Sequence, residues 1–281
     1  MLSEKITHKQ PDIPFYDSAR RSFALLEELK EVIRYRDLVV ELVRRDILAR
    51  YKRSLLGIIW TMLNPLGMMI VLTLVFSQLF HTVEGYAAYV LSGIIAWNFF
   101  SQSTSNSISA LAWGGDFFRR IYVPRSVFAI SQVGTALVNL ILSLVPLLAV
   151  MLVVGVPIRW TILFSVIPIT FLACFALGLG LLISSVAIYF PDIVEMYQIV
   201  LMAWFYLTPI LYPMDVIPAP LRPLWLLNPM YHLVYLFRLS LYDGEIPALP
   251  EILICAAIAI VTLVFSAWIF ARRSDEFAYR A

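Results

Sequence analysis

Long stretches of this chain hold no charged residue at all, and that constrains its fold more than any motif does. No Asp, Glu, Lys or Arg occurs at 54–83, 85–115, 126–158 or 160–191, and two shorter gaps cover 196–214 and 252–271. A helix needs about 20 predominantly apolar residues to cross the hydrocarbon core of a bilayer. The first four gaps exceed that length, and the last two hold 19 and 20 residues. Six membrane-spanning helices are therefore expected. Only 14% of the 281 residues are charged and 61% are hydrophobic, against about 25% charged in a soluble domain. The outer surface is expected to face lipid.

A seventh gap, 223–237, has 15 residues and contains Pro223, Asn228 and Pro229. It is too short and too broken for a crossing, and a pair of short re-entrant or interfacial helices fits it better. The preceding stretch 208–222 carries Pro209, Pro213, Pro218 and Pro220, so it cannot be one straight helix. Region 208–238 is expected to form a broken assembly on the outer side, between spans five and six.

Orientation follows from the basic residues. The N-terminus stays polar through Pro14 and has no apolar run after a basic start, so it is expected to be retained in the cytoplasm. The inner segments 1–53, 113–125, 188–195 and 272–281 then hold 18 of the 21 Lys and Arg, while the outer side holds Arg159, Arg222 and Arg238. This bias predicts that both termini are cytoplasmic. The chain divides into an N-terminal cytoplasmic segment, 1–53, and a six-span domain, 54–281, with a short tail at 272–281. Within the first segment, Tyr35, Leu38, Val39, Leu42, Val43, Ile47 and Tyr51 recur at helical spacing, with Arg44, Arg45 and Arg50 between them and Lys52 and Arg53 following. This is an amphipathic basic helix suited to the membrane surface or to packing on a partner. In the fourth span, Ala176, Gly180 and Ser184 form a row of small residues that permits close helix approach.

Several chemistries are missing. No Gly-rich phosphate loop ends in Gly-Lys-Ser or Gly-Lys-Thr, and all four lysines precede the first span, so the chain is not itself a P-loop motor. His8, His81 and His232 are scattered, and Cys174 and Cys255 each lie in an apolar run without zinc-ligand spacing. No metal site is expected. Ionisable residues are nearly absent from the spans, which disfavours ion-coupled transport. A membrane glycosyltransferase would place an acidic pair or metal cluster in a loop; 81–86 and 155–160 offer none, and the acidic residues of 188–195, Asp192 and Glu195, sit at the start of the fifth span. The net charge of +2 gives no basis for a nucleic-acid partner. Aromatic residues are abundant, with 18 Phe, 14 Tyr and 7 Trp. Many belong to interfacial belts. Two groups, Trp97, Phe99 and Phe100 in the second span and Trp204, Phe205, Tyr206 and Tyr212 at the end of the fifth, are candidates for a path lining, because aromatic faces contact sugar C–H faces.

Four segments in order resemble one family. Arg50-Tyr51-Lys52-Arg53-Ser54-Leu55-Leu56-Gly57 leads into Trp60 and Asn64-Pro65-Leu66. Arg120-Ile121-Tyr122-Val123-Pro124-Arg125 lies between spans two and three. Leu207-Thr208-Pro209-Ile210-Leu211-Tyr212-Pro213 ends the fifth span, and Leu227-Asn228-Pro229-Met230-Tyr231 follows. Together they resemble the type-2 class of ABC-exporter permeases, in its polysaccharide-export branch. One departure is Phe190-Pro191-Asp192, where the family usually shows Arg-Asp.

The resemblance implies an all-helical permease in a bacterial inner membrane, working as a homodimer with two copies of a nucleotide-binding subunit. It implies a lipid-linked glycan such as O-antigen as cargo, with teichoic acid or capsule as close alternatives and a lipophilic drug as a more distant one. It implies no cofactor in this chain, with ATP and Mg bound by the partner. It makes the stretch from Asp116 to Arg125 the coupling element, with Asp116, Phe117, Arg119, Arg120, Tyr122 and Arg125 receiving the motor's movement. It places the basic helix on the inner surface among membrane lipid, and it makes the segment from Thr208 to Tyr231 an outer gate, adding Tyr231 to the candidate path residues.

Overall fold

The computed structural model describes residues 24–52, 57, 59–113 and 123–280, and every regular element among them is helical. Arg53, Asp116, Phe117, Arg119, Arg120 and Tyr122 lie outside the described residues. Two N-terminal helices, α1 (Ala24–Arg34) and α2 (Arg36–Tyr51), precede α3 (Ile59–Phe76), α4 (Tyr86–Trp113) and α5 (Ser126–Val154). A short 3-10 turn, Trp160–Ser165, runs into α6 (Val166–Ala187), and α7 (Asp192–Leu207) follows. Two small helices, α8 (Arg222–Leu226) and α9 (Pro229–Arg238), then lead through a π turn, Leu239–Asp243, to α10 (Leu249–Arg280).

The helix ends have local causes. Gly155, at φ +84°, closes α5 in the left-handed conformation that favours glycine. Asp192 and Glu195 sit in the first turn of α7, where the helix dipole favours negative charge. α7 stops at Thr208 because the following Pro209 excludes the helical region, and Thr208 is extended at φ −101°, ψ 131°. α9 starts with Pro229 at its first position and with the Asn228 side chain accepting from the Met230 N–H at 3.0 Å.

Four helical stretches among the described residues are long and apolar enough to cross a membrane: Ile59–Phe76, Ser126–Val154, Trp160–Ala187 and Leu249–Arg273. The two other charge-free stretches differ for physical reasons. α4 has 28 residues but is rich in Ser, Thr, Asn and Gln, and α7 is cut to 16 residues by Pro209.

α4 is the hub of the bundle, packed against α3, α5, α6, α7 and α9. Its hydroxyls are buried by turning inward: Thr104 Oγ1 donates to Phe100 O at 2.9 Å, and Ser107 Oγ donates to Ser103 O at 2.7 Å. Small residues set the helix spacing. A Cβ on Gly180 would stand 3.1 Å from Ser107 Cβ on α4, and one on Gly178 would stand 2.9 Å from the Leu263 backbone on α10. The Ala176–Gly180–Ser184 row is thus the α6 face toward α4, and Gly178 serves the other side. The outward faces of α3 and α10 are apolar, with Leu74, Val75, Val261 and Phe265 exposed, as a lipid-facing surface requires.

Gly178→Leu forces α6 from the α10 backbone and should cost about 1–3 kcal/mol. Gly67→Ala, whose Cβ meets nothing within 4 Å, should be near neutral. Thermal unfolding of both variants in detergent, by intrinsic fluorescence, checks the contrast.

Candidate functional site

The break after α7 is held open by an unusual set of hydrogen bonds. In six successive residues every carbonyl has a donor from outside the regular helical ladder. Leu207 O accepts from Asn228 Nδ2 at 3.1 Å, and Thr208 O accepts from the Ile210 N–H at 2.6 Å. Pro209 O and Ile210 O accept from Arg238 at 2.5 and 2.6 Å. Leu211 O accepts from the Tyr86 hydroxyl at 2.7 Å, and Tyr212 O accepts from the Tyr89 hydroxyl at 3.0 Å. Buried carbonyls need donors from the protein or from water. Here Tyr86 and Tyr89 of α4, Arg238 of α9 and its cap Asn228 serve five of the six, and the Ile210 N–H serves the other.

Arg238 is the centre of this arrangement. It is 5% exposed, and its guanidinium lies over the Tyr89 ring at 3.7 Å from the centroid. It donates to Tyr89 O at 3.2 Å and Ser92 Oγ at 3.4 Å in addition to the two carbonyls above. A planar five-donor fork can serve several acceptors at once, which an ammonium does less well. α4 makes room for it with Gly93, where any Cβ would collide with the guanidinium. The other two arginines assigned to the outer side act in the same way. Arg159 donates to Asp243 O and Gly244 O at 3.1 and 3.3 Å, and Arg222 donates to Ile217 O and Asp215 O at 3.1 and 3.3 Å.

The candidate path aromatics separate into groups. Trp97, Phe100, Trp204 and Phe205 pack on one another with Phe175. Trp97 lies 5.5 Å from Phe100, 6.3 Å from Trp204 and 5.6 Å from Phe205, and Phe100 lies 5.2 Å from Trp204 and 5.5 Å from Phe175. Trp204 Nε1 donates to Asn228 Oδ1 at 2.8 Å, fixing this cluster to the start of α9. Tyr206 is exposed on α7. Tyr212 donates to Tyr206 O at 2.7 Å and accepts from Trp225 Nε1 at 3.0 Å. Tyr231 stacks on Tyr235 at 6.1 Å and lines a cleft with Tyr89, Asp215, Arg238 and Asp243.

At the opposite end, the apolar face of α2 packs on α5: Leu42 is buried, and a Cβ on Gly134 would lie 2.9 Å from Val43. Asp46 on α2 accepts from Gln132 Nε2 at 2.8 Å and pairs with Arg45 at 2.9 Å. Arg44, Arg50 and Lys52 are exposed. Ser126 Oγ at the start of α5 donates to Glu28 Oε1 on α1 at 2.6 Å. Beside it Arg125 is half-buried, which draws its pKa below the usual guanidinium value through desolvation.

A second feature is a cleft of about 500 Å³ between α3, α4 and α5, with Arg50 of α2 at its rim. Its walls include Trp60, Asn64, Asn98, Phe99, Gln102, Asn139 and Ser143. Of the candidate path residues only Phe99 lines it. Charge spacing and aromatic content do not single out Asn98, Gln102, Asn139 or Ser143, and Trp60 and Asn64 stand out only as part of the first family-like segment. Their signal is present as pairs one helical turn apart, 60/64, 98/102 and 139/143, inside otherwise charge-free spans. Among the described residues no group of His, Cys, Asp and Glu is arranged to hold a metal ion.

Comparison with known proteins gives a consistent picture. The model of a family described as ABC-2 type transporter matches residues 37–242. The chain is 30% identical over 257 residues to the O-antigen export system permease protein RfbA of Myxococcus xanthus, covering 90% of this chain and 99% of that protein. It is 26% identical over 211 residues to a protein of the same name from Klebsiella pneumoniae, covering 74% and 81%. It is 24% identical over 245 residues to the polysialic acid transport protein KpsM of Escherichia coli, covering 84% and 93%.

Arg238→Met should destabilise the chain by about 1–3 kcal/mol for each carbonyl left without a donor. Gly93→Ala should reproduce much of that loss by displacing the guanidinium, and the double variant should be little worse than Arg238→Met alone. Melting temperatures of the two single variants and the double variant in detergent test the coupling.

Proposed function

Because this chain belongs to the ABC-2 type transporter family, we propose that it is the permease subunit of an ATP-driven exporter that carries lipid-linked polysaccharide of the O-antigen kind across the inner membrane. The observation that carries this reading is the end-to-end similarity, 30% over 90% of the chain, to a protein named for O-antigen export. The absence of a phosphate loop in the full sequence fits an ATPase supplied by a separate subunit. Capsule export is the nearest second reading, favoured by the similarity to the polysialic acid transport protein.

In this reading α4 and α7 are the second and fifth of six crossings. The polar α4 is sheltered by its neighbours, and α7 is completed by the braced segment 208–213. α8 and α9 are re-entrant gate helices on the outer side, and both termini are cytoplasmic. Two copies of the chain enclose the path and bind two ATPase subunits, which hold ATP and Mg. α2 rests at the inner surface with Arg44, Arg45, Arg50, Lys52 and Arg53 toward lipid headgroups and the ATPase. The coupling element comprises Asp116, Phe117, Arg119, Arg120, Tyr122 and Arg125. Its last residue stands at the root of α5, tied through Ser126 to α1, so a push there reaches both. Tyr206, Tyr212 and Tyr231 are the aromatics placed to meet a passing glycan, while Trp97, Phe100, Trp204 and Phe205 stiffen the gate behind them.

Affinity purification of the tagged chain from its native membrane, followed by mass spectrometry, tests the central claim. A near-stoichiometric subunit bearing a phosphate loop is expected, and a chain that purifies alone and transports without ATP would overturn it. Arg125→Glu and Arg120→Glu should leave the complex in the membrane with ATPase activity retained and polysaccharide export lost. Normal export by both variants would remove the coupling role.

A further inference from the structure

The cleft between α3, α4 and α5 presents a lining that membrane packing alone does not explain. Asn98 and Gln102 on α4, Asn139 and Ser143 on α5 and Asn64 on α3 converge on one space, within stretches of the sequence that carry no charge. Asn139 is 6% exposed, yet its side-chain oxygen Oδ1 has no hydrogen-bond partner. A buried polar atom without a partner is rare and calls for an occupant. Ser143 does not supply one, because its hydroxyl turns back to Asn139 O at 2.8 Å. The volume, about 500 Å³, lies in the range of about 300–1,000 Å³ common for ligand sites. Trp60 and Phe99 add aromatic surface to the same walls.

The chemistry of this lining narrows the occupant. A carboxamide both donates and accepts, as a sugar hydroxyl does, so either partner can reverse its role without an unpaired group. Aromatic faces suit the C–H faces of a pyranose. Among the described residues no carboxylate lines the cleft, and Arg50 is the one cation that does, against six amide and hydroxyl side chains.

We propose that this cleft is a glycan-binding groove, in which a short stretch of uncharged sugar residues is held by Asn64, Asn98, Gln102 and Asn139 against Trp60 and Phe99. The proposal rests on the exporter reading above and specifies where and by what chemistry the cargo is held. Neutral hydrogen bonds without a Coulombic anchor hold a sugar weakly, which suits a site that must release each residue to the next.

The test uses the assembled exporter in cells that make the polysaccharide. Photoreactive benzoyl-phenylalanine is placed at Trp60, or at Phe265 on the apolar face of α10 as a control. After irradiation, the purified chain is stained for carbohydrate. A high-mass glycan adduct is expected at position 60 and not at 265, and it should vanish in cells that make no polysaccharide. An adduct of phospholipid mass at position 60 in both kinds of cell would mean that a lipid headgroup fills the cleft, and would overturn the proposal. In parallel, N98L/Q102L should lower export about tenfold or more, as expected when hydrogen-bonding partners of a bound group are removed. N98S/Q102S, which keeps polar groups and relieves bulk, should stay within about threefold of the parent. Equal loss in both variants at normal membrane abundance and normal ATPase recovery would make the residues packing elements. Normal export by N98L/Q102L without an adduct would leave Asn139 satisfied by water only. Either result sinks the groove while leaving the exporter standing, whereas failure of the parent chain to export any polysaccharide would instead refute the exporter reading.

Discussion

A helix that breaks off in a packed interior leaves carbonyls without their ladder donors, and one end of this protein is arranged around that problem. Pro209 ends α7 early, and the six carbonyls from Leu207 to Tyr212 then need donors. Each open carbonyl would cost about 1–3 kcal/mol, so the break is tolerable only if all are met together. α4 contributes two tyrosine hydroxyls, α9 contributes Arg238, and the residue capping α9 contributes its amide. Gly93 is small because the guanidinium occupies the space its side chain would take. The position of α9 against α4, and of the aromatic cluster against both, follows from this set of bonds.

α4 illustrates a second consequence of a membrane environment. The hydroxyls of Ser92, Ser101, Thr104 and Ser107 bond to carbonyls of its own helix, and Thr104 also receives the Tyr197 hydroxyl at 2.8 Å. The helix can therefore be central and polar at once, with small side chains that let α6 approach closely. Two further polar side chains of α4, Asn98 and Gln102, face the cleft.

Much of the helical layout was legible from charge spacing, because excluding charge from lipid is a one-dimensional rule that needs no neighbour. The gap at 223–237, too short to span and broken at Asn228 and Pro229, indeed holds two small helices separated at that point. The apolar face read on 35–51 is the face that packs, with Leu42 buried and Arg44 and Arg50 exposed. The candidate site was less legible. Trp97 and Trp204 lie 107 positions apart, and nothing in either segment says that they meet edge to face at 6.3 Å. Arg238 read as one of three outer cations, although its function is to fill backbone acceptors 28 and 29 residues away. The cleft was not legible, because single amides carry no pattern in the sequence and share one space only when three helices bring them together.

Most of the bonds that brace the break after α7 end on main-chain oxygens, which every residue possesses. Two side chains of the segment still hold the fold: Thr208 Oγ1 donates to Trp204 O and accepts from Asn228, and the Tyr212 hydroxyl donates to Tyr206 O and accepts from Trp225. Arg238, Tyr86, Tyr89 and Asn228 form a fixed frame that is indifferent to the side chain at exposed Leu207. At that position the surface of the break can change its chemistry by substitution, with no need to redesign the frame.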